Sequence, residues 1–247
     1  MENSIQSNKI TIIIPARYAS TRLEGKPLLK VQDKPIIRWV YERAVLSKLA
    51  SDVIVATDDK RIFDCVEAFG GKAAMTREDH KSGSDRLVEV LEQYPDITIA
   101  VNVQGDEPLI TPESIDMAID VLISDKDADI STLIRKIEAD EMQNPNVVKV
   151  VKDRQDYAMY FSRSPVPYER AANQAVSFAH IGLYVYRRES LMKMASLEQS
   201  MLEKAESLEQ LRALENGMKI KTAIVDYKPL GIDTKEDFEE FRKLVEG

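Results

Sequence analysis

The 247-residue chain is predicted to be an α/β protein, with helices covering both faces of a mainly parallel sheet. Three observations lead there. Short runs of β-branched and aliphatic residues alternate with longer amphipathic stretches. The runs are apolar throughout rather than at every second position, as befits strands buried on both faces. The N-terminal half also repeats the order strand then helix, β-α-β-α-β-α-β-α. In such sheets ligands sit beyond the carboxyl ends of the strands, so function is expected in the loops that follow them.

The first strand is read from "ITIII" (residues 10–14). "KPIIRWVYERAVLSK" reads as a helix with Pro35 near its first turn and Ile36, Trp39, Val40, Ala44 and Leu46 mostly on one face. "DVIVAT" is strand-like, "KRIFDCVEAFGG" is a helix closed by Gly70 and Gly71, and "KAAM" is a short strand. "SDRLVEVLEQY" follows as a helix and "ITIAVNV" as another buried strand. "TPESIDMAIDVLI" starts a helix with Thr111 as N-cap and Pro112 at the first helical position. Beyond about residue 130 the rhythm changes. "ISTLIRK", "VVKVV", "YAMYFS" and "HIGLYVYR" read as strands with only a short helix between the first two, which predicts antiparallel additions. "SMLEKAESLEQLRALENG" reads as one strong helix, with Ser200 and Glu203 spaced as a capping box and Gly217 past its end. "KIKTAIVD" is a late strand, and "TKEDFEEFRKLV" a terminal helix capped by Thr234.

A chain of this length with 44% hydrophobic residues can bury a large core, and without a repeat or long linker it reads as a single domain over 1–247. Its 42 acidic against 34 basic residues leave a formal charge of -8, which argues against a nucleic-acid partner and requires any anion site to be local. Cys65 is the single cysteine and fits a reducing compartment. "MENSIQSNK" lacks the apolar core of a signal peptide, and no run approaches the roughly 20 apolar residues of a spanning helix. The expectation is a cytoplasmic protein without membrane insertion.

The loop "PARYASTRLEGKP" places Arg17, Arg22 and Lys26 directly after the first strand. A P-loop needs glycine where Ser20 stands and Ser or Thr where Pro27 stands, and a dinucleotide fingerprint needs glycines that "PARYAST" lacks. What remains is a loop able to surround a polyphosphate with guanidinium and ammonium groups, weighed against three ordinary solvated cations. "HKSGSDRL" favours the first reading, because Ser82, Gly83 and Ser84 allow close backbone approach and Arg86 lies in the first helical turn behind them. His80 in that loop reads as unremarkable.

"VNVQGDEPLI" sets Gln104, Gly105, Asp106 and Glu107 beyond a buried strand. A carboxylate facing a polyphosphate suits Mg²⁺, which takes a few carboxylate oxygens together with phosphates and waters. Asp233 in "PLGIDTKEDF" offers a second carboxylate, and for both the plain alternative is loop capping or helix-end electrostatics.

The stretches "IIIPARYASTRLEGKPL", "MTREDHKSGSDRL", "VNVQGDEPLI", "NPNVVKVV", "YAMYFSRSPVP", "HIGLYVYR", "LEQLRALENGMKI" and "GIDTKEDF" together resemble the 3-deoxy-manno-octulosonate (Kdo) cytidylyltransferases, from about residue 9 to the C-terminus and in the same order. The resemblance implies a Rossmann-like nucleotidyltransferase fold and a cytoplasmic homodimer that uses Mg²⁺ to join CTP to Kdo, giving CMP-Kdo and pyrophosphate for lipopolysaccharide synthesis. It further implies that Arg17, Arg22 and Lys26 hold the triphosphate, that Ala16, Ser82, Gly83, Arg86, Gln104 and Asp106 contact the nucleotide, and that Asp106 and Asp233 hold the metal. Gln104, Arg163, His180, Tyr184, Glu209 and Gln210 would contact the sugar.

Without the resemblance, His180 reads as a locally bonded strand residue, Glu209 and Gln210 as a solvated helix face beside Leu208, Leu211 and Leu214, and Arg163 as a surface cation. Tyr184, four residues beyond His180, shares its strand face. Two positions depart from the family pattern: Glu24 where proline is common, and Ala179 where a basic residue is usual. Loss of a charge at 179 admits an altered substrate such as 8-amino-Kdo. A non-catalytic nucleotide sensor is the remaining alternative, and the candidate dimerisation segment is about 145–190.

Overall fold

Ile12, Ile13 and Ile14 are wholly buried in the first strand, β1 (Ile10–Ala16). Each such side chain contributes on the order of 1.5–3 kcal/mol by leaving water, which makes this run the natural centre of a sheet. The computed structural model describes residues 8–19, 22–80, 82–171 and 176–247. Residues 1–7, 20–21, 81 and 172–175, on which parts of the sequence reading fell, lie outside them.

The contacts divide the chain into two compact units, Met1–Pro112 with Gly231–Gly247, and Glu113–Leu230. In the first, a small antiparallel hairpin of β2 (Lys30–Val31) and β3 (Lys34–Pro35) turns at Gln32 and Asp33, both with positive φ, as a two-residue hairpin requires. Helix α1 (Ile36–Ala44) follows. It is shorter than the predicted helix at both ends. Pro35 is extended and pairs with Lys30, and Val45 and Leu46 are exposed rather than continuing the apolar face.

Then come β4 (Asp52–Thr57), α2 (Lys60–Ala68), β5 (Ala73–Met75), α3 (Gly83–Gln93) and β6 (Ile99–Asn102). Their strands lie in the order β6-β1-β4-β5, all parallel, so the loops after β1, β4, β5 and β6 share one edge.

The second unit opens in α4 (Pro112–Ser124), which starts at the predicted proline. It contains β7 (Ile130–Lys136), a 3₁₀ turn over Ala139–Glu141, β8 (Lys149–Lys152), β9 (Ala158–Ser162) and β10 (Phe178–Arg187). β10 runs antiparallel to β7 and β8, and β8 antiparallel to β9, as the change of rhythm predicts. Helix α5 (Arg188–Ser196), absent from the sequence reading, follows directly.

The single long helix expected at residues 200–217 is two short ones, α6 (Met201–Glu206) and α7 (Gln210–Glu215). Ser207 between them is left-handed at φ 52°, and the carbonyls of Glu206 and Ser207 accept from Arg163 Nε and Nη2 instead of continuing the helix. The capping box of Ser200 and Glu203 is present. β11 (Ile220–Ile224) lies parallel to β7.

The chain re-enters the first unit as α8 (Lys235–Glu246), capped by Thr234. There Phe241 meets Trp39 of α1 edge-on at 5.6 Å, and Lys34 Nζ lies 4.0 Å from the centre of the Trp39 ring.

Candidate active site

Beyond the carboxyl ends of β1 and β6, the first unit holds a cleft of about 400 Å³ whose walls include Ala16, Arg17, Arg22, Lys26, Gly83, Gln104, Asp106 and Asp233. The basic loop is shaped by Tyr18. Its backbone carbonyl accepts from Gly25 N at 2.9 Å, and the Arg61 guanidinium lies 3.3 Å from the centre of its ring. Gly25 has φ +66°, and a Cβ there would meet the Tyr18 ring at 3.0 Å. Lys26 then opens a 3₁₀ turn, and Glu24 beside it is solvent-exposed.

Lys26 is the hub. Its Nζ donates to Asp106 Oδ2 and, at 3.1 Å, to Asp233 Oδ1, while Arg22 Nη2 sits 2.9 Å from Asp233 Oδ2. Burial opposes the charge on Lys26, but Asp106 and Asp233 outweigh it and raise the ammonium's pKa. Two anchors aim the carboxylates. Ile232 N donates to the Asp106 carbonyl at 2.9 Å, laying the Gly231–Asp233 segment on the turn after β6. Asp237 then accepts from the backbone N–H of Asp233 and Thr234, at 2.9 and 2.7 Å. Glu107 beside this turn is buried, and desolvation, with Asp106 as neighbour, pushes its carboxyl up to about 8.

Gly105 permits the close approach: a Cβ there would lie 2.7 Å from the Pro15 carbonyl oxygen.

Arg17 donates through Nη2 to the carbonyls of His80 and Ser82, at 2.9 and 3.1 Å. Ser82 caps α3 in a reciprocal capping box with Asp85, which sets Gly83 at the cleft. Arg86 does not join this group. It is fully buried, with Nη2 2.6 Å from Asp58 and Nη1 bonded to Thr76. In the free protein its charge is engaged inside the unit rather than presented to the cleft.

In the second unit, His180 and Tyr184 share a face of β10 with ring centres 5.1 Å apart, although the strand bulges between Ile181 and Tyr184. The hydroxyl of Thr132 lies 2.7 Å from the Leu183 carbonyl and 2.9 Å from His180 Nε2. Because that hydroxyl donates to the carbonyl, it accepts from Nε2–H, which assigns the histidine tautomer. Burial pushes His180 down to about 3, so its ring is neutral at physiological pH. Arg163 spends its guanidinium on the carbonyls of Glu206, Pro145 and Ser207, at 2.7, 3.0 and 3.3 Å. Glu209 and Gln210 stand at the start of α7, and Gln210 is buried rather than on a solvated face.

Ala179, the departure of interest, is fully buried and pairs with Arg135 on one side and Lys149 on the other. Its side chain therefore points to the face opposite His180. A cation at 179 would sit between two buried cations, so alanine is explained by local packing and charge.

Tyr18 and Asp237, which hold the basic loop and the Asp233 segment in place, carry no role in the sequence reading, and His80, read there as unremarkable, holds Arg17 through its carbonyl. Only the Thr234–Asp237 capping spacing signalled any of them.

Parallel strands whose carboxyl ends present clustered cations beside two convergent carboxylates define a Rossmann-like nucleotidyltransferase site. Comparison narrows the class. The cytidylyltransferase family profile matches residues 11–220. The 3-deoxy-manno-octulosonate cytidylyltransferases of Geotalea daltonii and Escherichia coli are 50% and 47% identical to this chain, covering 94% and 96% of it and 96% of each relative. A solved CMP:2-keto-3-deoxy-manno-octonic acid synthetase complexed with CTP superposes with a TM-score of 0.94 at 46% identity, covering 97% of this chain and 99% of that one. The chain belongs to the 3-deoxy-manno-octulosonate cytidylyltransferase family.

Proposed function

We propose that the protein transfers the cytidylyl group of CTP to Kdo, releasing pyrophosphate and forming CMP-Kdo. The observation that carries this is the convergence of Asp106 and Asp233 on Lys26, with Arg22 beside them and Arg17 in the same cleft. In the reaction the anomeric hydroxyl of Kdo attacks the α-phosphorus, the bond to the bridging oxygen of pyrophosphate breaks, and the hydroxyl proton passes to solvent. Negative charge grows on the departing pyrophosphate. Arg17, Arg22 and Lys26 bind the triphosphate and stabilise that charge, with Ala16, Ser82 and Gly83 bounding the nucleotide side.

Asp106 and Asp233 fit a divalent cation: two carboxylates drawn onto one ammonium in the free protein are the donor set Mg²⁺ takes alongside substrate phosphates. Among the described residues no cluster of three or more potential ligands offers a fuller cage. Bound there, Mg²⁺ would supply charge neutralisation for the phosphates and the attacking oxygen. No protein base is assigned.

Gln104, Arg163, His180, Tyr184, Glu209 and Gln210 are the sugar-side residues of this reading, resting on the family resemblance. A neutral His180 with a fixed tautomer serves as an oriented hydrogen-bonding group rather than as an acid. The 8-amino sugar is not favoured, because Ala179 faces away from His180 and the relatives carry the name of the Kdo enzyme. Action as a cytoplasmic homodimer belongs to the same reading. Among the described residues no helix is long and apolar enough to cross a membrane.

The test is pyrophosphate release with Mg²⁺, crossing CTP, UTP and ATP with Kdo, 8-amino-Kdo and N-acetylneuraminate. Release with CTP and Kdo is expected. Silence with every CTP pair overturns the enzyme, and preference for the 8-amino sugar overturns the substrate. Asp106→Asn and Asp233→Asn should each lower turnover about a hundredfold in folded protein, and a near-normal rate removes that residue from the site.

A further inference from the structure

We infer that His80, through its pairing with Glu89, is a positioning residue for Arg17 and hence for the phosphate chain of CTP. The inference rests on the cytidylyltransferase reading above. Arg17 has a long, rotamer-rich side chain, and two carbonyls orient it: those of His80 and Ser82, both accepting from Nη2. Two carbonyls two residues apart can face one nitrogen only where the backbone carrying them is fixed.

Glu89 of α3 supplies the fixing. Its Oε2 accepts from Arg77 N at 3.0 Å and from His80 Nε2, so both ends of the segment from Arg77 to His80 are tied to a single oxygen. The capping box of Ser82 and Asp85 ties the next turn to the same helix. The arrangement is sheltered: His80 is 8% exposed and the Glu89 side chain 18%. A charge-assisted hydrogen bond shielded from water holds its geometry better than an exposed one. The line of support runs from α3 through the imidazole to the backbone and from there to a guanidinium on the cleft wall.

A histidine that merely stabilises the core would be indifferent to Arg17, so the test is a double-mutant cycle. CTP affinity by calorimetry, with kcat and both KM values, is measured for wild type, H80A, H80Q, R17A and R17A/H80A. H80A should weaken CTP about tenfold with Arg17 present and less than about twofold in the R17A background, the coupling expected of residues acting through one another. KM for Kdo should hold, and H80Q, whose amide still donates to Glu89, should recover most of the loss. Equal weakening with and without Arg17, or parallel loss for both substrates, overturns the inference while leaving the enzyme assignment intact. A wild type that fails to bind CTP sinks the assignment and this inference together. Should H80A not fold, Glu89→Ala, which removes the acceptor shared by Arg77 N and His80 Nε2, enters the same cycle, with coupling to Arg17 expected and its absence decisive against the proposal.

Discussion

Glu141 shows how one residue's charge is spent on structure. Both its carboxylate oxygens lie 2.7 Å from the Arg135 guanidinium, and those hydrogen bonds, against the opposing effect of burial, bring its carboxyl from the ordinary 4.5 down to about 2. The folded chain thus favours the ionised form. The resulting stabilisation is complete above about pH 4.5 and disappears as pH falls toward 2. Glu141→Gln should melt lower than wild type at neutral pH, with the gap closing across that acid window, and a gap that ignores pH refutes the assignment. Other charges resist reading for the same reason. Arg17, Arg22 and Lys26 are legible because their site is local, a loop after a strand. The partners that Arg86 and Arg163 hold in the free protein are not: Asp58 and Thr76 engage the first, and the carbonyls of Glu206, Pro145 and Ser207 orient the second, whose sugar-side role rests on the family resemblance. Those partners lie 10 to 44 positions away, beyond what spacing reveals.

At the scale of elements, the turn after β6 is set by how nearly it touches β1. A methyl on Gly105 would press on the Pro15 carbonyl, so Gly105→Ala must shift the turn that carries Asp106. The expected cost is about 1–3 kcal/mol of stability, as for other overpacked sites. Turnover should fall disproportionately in protein that remains folded, and normal turnover would show that Asp106 tolerates the shift. Ser200 and Thr234 accept as N-caps where the sequence places them, since cap chemistry is local, whereas Ser82, read only as a point of close approach, proves to cap α3. Continuity was less legible. The break between α6 and α7 comes from Arg163, a residue of another element, and leaves no mark in the helical pattern itself.

For the whole molecule, the formal charge of -8 would repel CTP were the cations not gathered at one cleft. Homodimer formation predicts a light-scattering mass twice the chain's 28.0 kDa, and a monomeric value would refute it. The parallel pairing of the first unit and the antiparallel additions of the second agree with the apolar runs and their changing rhythm, whereas the order of the strands is set by packing that the runs do not record. The positions of α5 and the small hairpin do not, because neither carries a strong period. Trp39, the chain's single tryptophan, abuts Phe241 of α8, and the segment leading into that helix carries Asp233. The molecule thus contains its own optical gauge: titration with CTP should change the emission of Trp39, the change should weaken in Phe241→Leu, and a flat spectrum would mean that α8 stays still while the cleft fills.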